Sequence, residues 1–196
     1  MIPESFAVIG AVIGSIGGFY YLYETITGKA KPNRVTWLLW WLFPMIGFVA
    51  QRAQGVEALS WATFAAGFTP LLIVIASFLN KDAYWKTERR DYVLMAAATV
   101  GIVISVVANS PNIAILFALV ADALAGVPTL IKAYRRPETE SWIAYAISTF
   151  GFGLAVLAVP TFTFEHAGFI AYLFGVNLTL ALLSSRGRQR AMVTAA

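Results

Sequence analysis

Lys29-Ala-Lys-Pro-Asn-Arg-Val-Thr-Trp37 separates two apolar runs, and a counterpart, Tyr134-Arg-Arg-Pro-Glu-Thr-Glu-Ser-Trp142, separates two more. Pro32 matches Pro137, Thr36 matches Ser141 and Trp37 matches Trp142, each at an offset of 105 residues. Carried outward, that offset lays the first three apolar runs of the chain over the last three. The Gly-led stretches Gly67-Phe-Thr and Gly175-Val-Asn then align after a shift of about three more. Three helices reverse a chain's direction across a bilayer, and a fourth without a partner turns it back, so the two triplets point the same way, related by an axis along the membrane normal. The chain divides accordingly into a first three-helix unit at residues 1–80, a linker helix at 81–110, and a second three-helix unit with a short tail at 111–196.

The apolar runs are roughly Phe6 to Ile26, Val35 to Ala50, Ala58 to Leu79, Tyr92 to Ala108, Ile113 to Tyr134, Trp142 to Phe162 and Ala167 to Leu183. Each is near the ~20 residues a spanning helix needs. With 59% hydrophobic and 12% charged residues, the chain lacks the polar surface of a soluble domain, which carries roughly 25% charge. The expected fold is all-α and polytopic, with seven transmembrane helices. Threaded in order, the runs leave thirteen of the fourteen Lys and Arg residues on one face, with Arg52 alone on the other. Cytoplasmic loops collect positive charge, so the amino terminus is expected outside and the carboxyl terminus inside, most simply in a plasma or inner membrane. The first run follows Met-Ile-Pro-Glu-Ser, with no basic segment ahead of it, and reads as a retained span.

Pro128-Thr-Leu-Ile-Lys-Ala-Tyr-Arg-Arg-Pro resembles the helix end and basic turn of the SWEET and PQ-loop superfamily of seven-helix transporters, with Thr129 where that family carries Gln. The resemblance covers nearly the whole chain in topology. It implies two three-helix bundles joined by a linker helix, rocking around a midplane solute site by alternating access. It also implies that Asn177, on the last helix of the second unit, lines that site, with Thr69 at the corresponding place in the first.

The residues nearest the bilayer centre are about Gly17, Pro44, Thr69, Asp122, Thr149 and Asn177. Asp122 is the only ionisable side chain deep in any run. Burying its carboxylate in hydrocarbon costs several kcal/mol unless it is protonated, paired or hydrated, which makes it a candidate for solute binding and for proton coupling. It can equally be a structural hydrogen-bonding group. Asn177 has donors and an acceptor for a solute or for a neighbouring helix. Thr149 is a further binding candidate at this depth. Pro44 and Pro70 fall inside the second and third runs and remove backbone donors there, so these two, with Pro128 in the fifth, are candidate gating positions. Trp37, Trp40 and Trp41 recur at helical spacing. Aromatic rings stack on sugars or hold cations. Trp37 and Tyr23 fit the interfacial aromatic belt, leaving the deeper Trp40 and Trp41 as pocket-wall candidates. Gly10, Gly14 and Gly18 on the first run, and Ala171, Gly175 and Thr179 on the seventh, form small-residue stripes suited to close helix packing.

Several function classes recede. The basic loops answer to orientation and anionic lipid rather than nucleic acid. There is no cysteine, and one His beside one Glu, His166 after Glu165, makes no metal site. No cofactor is expected. A retinal protein needs a buried lysine, whereas the lysines read as loop or helix-end residues. Asp122 has no second acid or nucleophile at its depth, so an enzyme is not expected. The expectation is a facilitator or proton-coupled carrier of a small solute in a lipid bilayer, with homo-oligomers open. The alternative is a non-transporting seven-helix receptor or membrane chaperone. Nicotinamide riboside carriers share the seven-helix plan but run the other way through the membrane, against the charge count.

Overall fold

A computed structural model describes residues 2–3, 5–80, 88–107 and 110–195. Lys81 and Lys86, counted above toward the basic face, and Ala108 at the end of the fourth run lie outside them. The seven apolar runs fold as helices: α1 Ser5–Ile26, α2 Arg34–Ala53, α3 Ala58–Leu79, α4 Arg89–Val107, α5 Pro111–Arg135, α6 Trp142–Leu157 and α7 Phe164–Ala195, with a 3-10 turn at Pro137–Thr139 before α6. Among the described residues there is no strand. Four of the helices, α1, α3, α5 and α7, are long and apolar enough to cross a membrane, which points to membrane association. At sixteen residues, α6 spans only about 24 Å.

Local chemistry explains most of the boundaries. Asn33 caps α2, its Oδ1 accepting the amides of Val35 at 3.0 Å and Thr36 at 3.3 Å, while Ser141 Oγ accepts the Ala144 amide at the start of α6. Such caps satisfy donors that have no partner within the helix. At the end of α1 the carbonyls of Thr25 and Ile26 accept Asn80 Nδ2, reaching from the end of α3, and Thr25 also accepts the Gly28 amide. Gly28 after α1 and Gly55 after α2 both turn the chain at φ 77°, where a side chain would be strained. Two boundaries depart from the sequence expectation. The sixth run stops as a helix at Leu157 rather than Phe162, because Pro160 follows Val159 and biases it away from helix. The seventh runs from Phe164 through to Ala195 rather than ending near Leu183 in a tail; no proline interrupts Ser184 to Ala195, and most residues there favour helix.

In packing, α3 lies against both α1 and α2, α7 lies against both α5 and α6, α1 packs on α6, α2 on α5, and α4 on α5. The α1–α6 crossing is the tightest. A Cβ on Gly10 or Gly151 would meet the other helix's backbone, and one on Gly17 would meet Ser148 and the Ala144 carbonyl. These contacts set α1 and α6 antiparallel. Gly18 leaves the stripe, since its missing Cβ makes room for Thr69 on α3. The expected stripe on α7 does not pack: Ala171, Gly175 and Thr179 are exposed, and nothing lies within 4 Å of a Cβ built on Gly175.

The loops ahead of α2 and α6 clasp one another at one end of the molecule. The Lys31 amide donates to the Thr139 carbonyl at 3.1 Å, and Lys132 Nζ donates to the Lys31 carbonyl. Asn33, while capping α2, also donates through Nδ2 to Asp91 on α4 at 2.8 Å. The opposite end is held by a small apolar cluster of Ala7, Val56, Leu59, Ala158 and Val159.

Candidate functional site

Between the helices lies a cavity of about 70 Å³ lined from every helix except α4. At ~10–15 Å³ of such space per water molecule it has room for roughly five. Gly14, Gly17 and Gly18 leave α1 without side-chain bulk along one wall, and Pro44 and Pro70 line the cavity from α2 and α3.

Asp122 on α5 is buried, and its Oδ2 accepts the phenol of Tyr172 on α7 at 2.6 Å. Its Oδ1, also buried, has no protein hydrogen-bond partner. The Asp122 backbone carbonyl accepts Trp40 Nε1 at 3.3 Å, and Gly126, one turn on, makes room for the Trp40 indole. The small stripe Ala118, Asp122 and Gly126 therefore faces protein, as its spacing suggests. Thr69 and Asn177 line the same cavity; Asn177 Nδ2 is turned back to the Leu173 carbonyl at 2.8 Å. Ser148 adds a hydroxyl from α6, near the Gly14 carbonyl at 3.4 Å.

Aromatic rings run from this point toward the clasped loops. Trp40 meets Trp37 edge-on at 5.2 Å between centroids, Trp37 lies 4.3 Å from Tyr21, and Tyr21 lies 5.7 Å from Tyr145. All four line the cavity. Behind the two tyrosines sits Glu140, whose Oε2 accepts both phenols at 2.8 Å. Its Oε1 is 2.7 Å from Lys132 Nζ, and both side chains are essentially closed to solvent. An ion pair removed from water is held only where further hydrogen bonds complete it, and here two phenols and the Lys31 carbonyl do so.

Of the sequence candidates, the structure brings together Asp122, Thr69, Asn177, Trp40, Pro44 and Pro70. It does not bring in three others. Trp41 lies off the cavity wall, its carbonyl beside Gly67; one helical residue is about 100° of rotation, so Trp40 and Trp41 cannot share the wall fully. Thr149 bonds the Tyr145 carbonyl at 2.7 Å and opens onto an apolar groove of α6 that includes Phe150, Leu157 and Phe174 of α7. Pro128 is buried within α5 but does not line the cavity. Trp37, assigned above to the interfacial belt, is a cavity residue instead, and its Nε1 has no protein partner. Lys132, read as a helix-end lysine, is buried. Tyr21 stands in an aromatic cluster of the first run with Phe19, Tyr20 and Tyr23, but Tyr145, Tyr172 and Glu140 carried no sequence signal beyond composition, because their meeting depends on helices distant in the chain.

Comparison with family models, with curated proteins and with solved structures finds no match.

Proposed function

We propose that the chain is a small-solute carrier whose two three-helix units, α1–α3 and α5–α7, rock about the central cavity, with α4 as the linker. The observation that carries this reading is a largely apolar central cavity that holds Asp122, Thr69, Ser148 and Asn177, is walled by both units and is lined by glycines and two mid-helix prolines. The neighbour pattern supports the repeat: exchanging α1, α2 and α3 for α5, α6 and α7 maps α1 on α3, α2 on α3 and α1 on α6 onto α5 on α7, α6 on α7 and α5 on α2. That is the symmetry a parallel duplication requires, and it favours the SWEET and PQ-loop plan.

In this reading the amino terminus is outside and the clasped basic loops are cytoplasmic. The Glu140–Lys132 pair with Tyr21 and Tyr145 is then the cytoplasmic closure. The outer end is closed by small apolar contacts and by Gln51, whose Nε2 donates to the Glu165 carbonyl at 3.3 Å. Alternating access exchanges one closure for the other while Asp122, Thr69 and Asn177 stay between them.

The native chain has no cysteine, so one introduced thiol reports alone. Ser148→Cys in oriented proteoliposomes is expected to react with a membrane-impermeant maleimide from either face, with small solutes changing the ratio. A thiol that never reacts from either side would overturn the carrier reading and favour a receptor or chaperone with a closed centre.

A further inference from the structure

We infer that the solute is a small organic monocation, an amine or quaternary ammonium without a carboxylate, and that it exchanges against one proton at Asp122. This rests on the carrier reading for its direction across the bilayer, but the site itself is argued from side chains alone. Among the described residues lining the cavity Asp122 is the only carboxyl or basic group, and its buried Oδ1 has no hydrogen-bond partner among them. Among the described residues no Lys, Arg or His lines that space. An anion, or the carboxylate of an amino acid, therefore meets no positive group there, and a neutral sugar can hydrogen-bond the acid but brings no charge to balance it once ionised. The rest of the wall is what a cation selects: Trp37, Trp40, Tyr21 and Tyr145 offer electron-rich faces that attract cations in a desolvated site. At the edge of this wall Glu140 already pairs with one ammonium, that of Lys132, while accepting the phenols of Tyr21 and Tyr145.

One carboxyl in such a place holds one positive charge at a time. Left ionised and unpaired it is costly to bury, so it carries either a proton, on Oδ1, or the ammonium of the solute. Arrival of the cation releases the proton to water as the carboxylate forms; departure of the cation takes one back. The exchange is one for one and electroneutral. The groups facing Asp122 do not disturb this count. Tyr172 on α7 donates to Oδ2, and α2 presents Trp40. The charged residues of α2 (Arg34, Arg52), of the start of α4 (Arg89, Asp91) and of the start of α7 (Glu165, with His166) lie toward helix ends. On α5 itself Lys132 is ten residues on, about 15 Å along the axis.

The test uses the purified full chain and two probes with the same number of non-hydrogen atoms, tetramethylammonium and neutral tert-butanol, with acetate as the anion. Binding is read from tryptophan fluorescence, since Trp37 and Trp40 line the site, and proton release from pH change in weakly buffered solution. Tetramethylammonium is expected to bind at least tenfold more tightly than tert-butanol and to release up to one proton per cation bound. Asp122→Asn is expected to lose both the preference and the release, and Trp37→Leu to weaken the cation alone. Proton release in the wild-type chain decides the matter even if Asp122→Asn does not fold. Equal binding of the neutral probe, preference for acetate, or cation binding with no proton release would overturn the inference. If neutral solutes bind and cross proteoliposomes, the cation assignment fails and the carrier reading stands. If the cation binds and releases its proton but no flux follows, the site stands and the carrier reading fails.

Discussion

At the scale of single residues the most consequential group is Glu140. Its carboxylate joins α1 through Tyr21, α5 through Lys132 and α6 through Tyr145, so one side chain ties three helices together. Glu140→Ala strips three donors of their acceptor, the buried Lys132 ammonium among them. Breaking a buried pair from one side costs ~3–5 kcal/mol, whereas replacing both members by apolar groups is often close to neutral. Thermal unfolding in detergent is therefore expected to show Glu140→Ala clearly less stable than the double variant Glu140→Leu with Lys132→Met. Equal loss in both would mean that the pair contributes through its packing rather than its charge. Nothing in the local sequence marks Glu140 for this part. Glu138, two residues earlier in the same loop, is exposed and only loosely paired to Arg136 at 4.0 Å, and the two are alike until the third dimension separates them.

At the scale of elements, the crossing of α1 on α6 and the outer face of α7 give opposite expectations for the same kind of residue. A Cβ on Gly151 would lie 2.5 Å from both the Gly10 carbonyl oxygen and the Gly14 amide nitrogen, and backbone cannot step aside as a side chain can. Gly151→Val is expected to cost more than about 3 kcal/mol or to prevent folding, as overpacking against fixed backbone does. Gly175→Val, with open space around its Cβ, is expected to be tolerated, with folded yield in membranes the measurement for both. The periodicity of four on α1 and on α7 is the same in the sequence, and it does not say which stripe meets protein. The apolar runs were legible because each is local and continuous, and Asp122 because it is the one ionisable side chain deep in any of them. Trp37 was misplaced because depth along a helix was used where rotation about it decides. Lys132 and its partners were out of reach because a buried charge is recognised only with the group that compensates it, and that group here comes from the following loop.

At the scale of the whole molecule the two ends are closed by unlike chemistry. The clasped loops share an ion pair, two phenols and an interloop backbone contact, while the opposite end relies on Ala, Val and Leu contacts with hydrogen bonds from the Gln51 side chain to the Glu165 carbonyl and from the Ile2 amide to the Leu157 carbonyl. A conformational equilibrium moves by the free energy that distinguishes its states. Going from 99:1 to 1:99 takes about 5.5 kcal/mol, so bringing a closed end from 99% to half takes about half that. Glu140→Gln keeps an acceptor for the phenols but removes the charge attracting Lys132, acting on the clasped state alone if the loops part during transport. The expectation is that Ser148→Cys combined with Glu140→Gln reacts with a maleimide faster from the side of the duplicated loops, by tenfold or more, and no faster from the other. The reverse substitution of closure strength, Gln51→Ala, weakens the opposite end and is expected to raise labelling from that side instead. If Glu140→Gln raises the rate equally from both sides, the protein has loosened as a whole, and the pair is a structural tie rather than a gate.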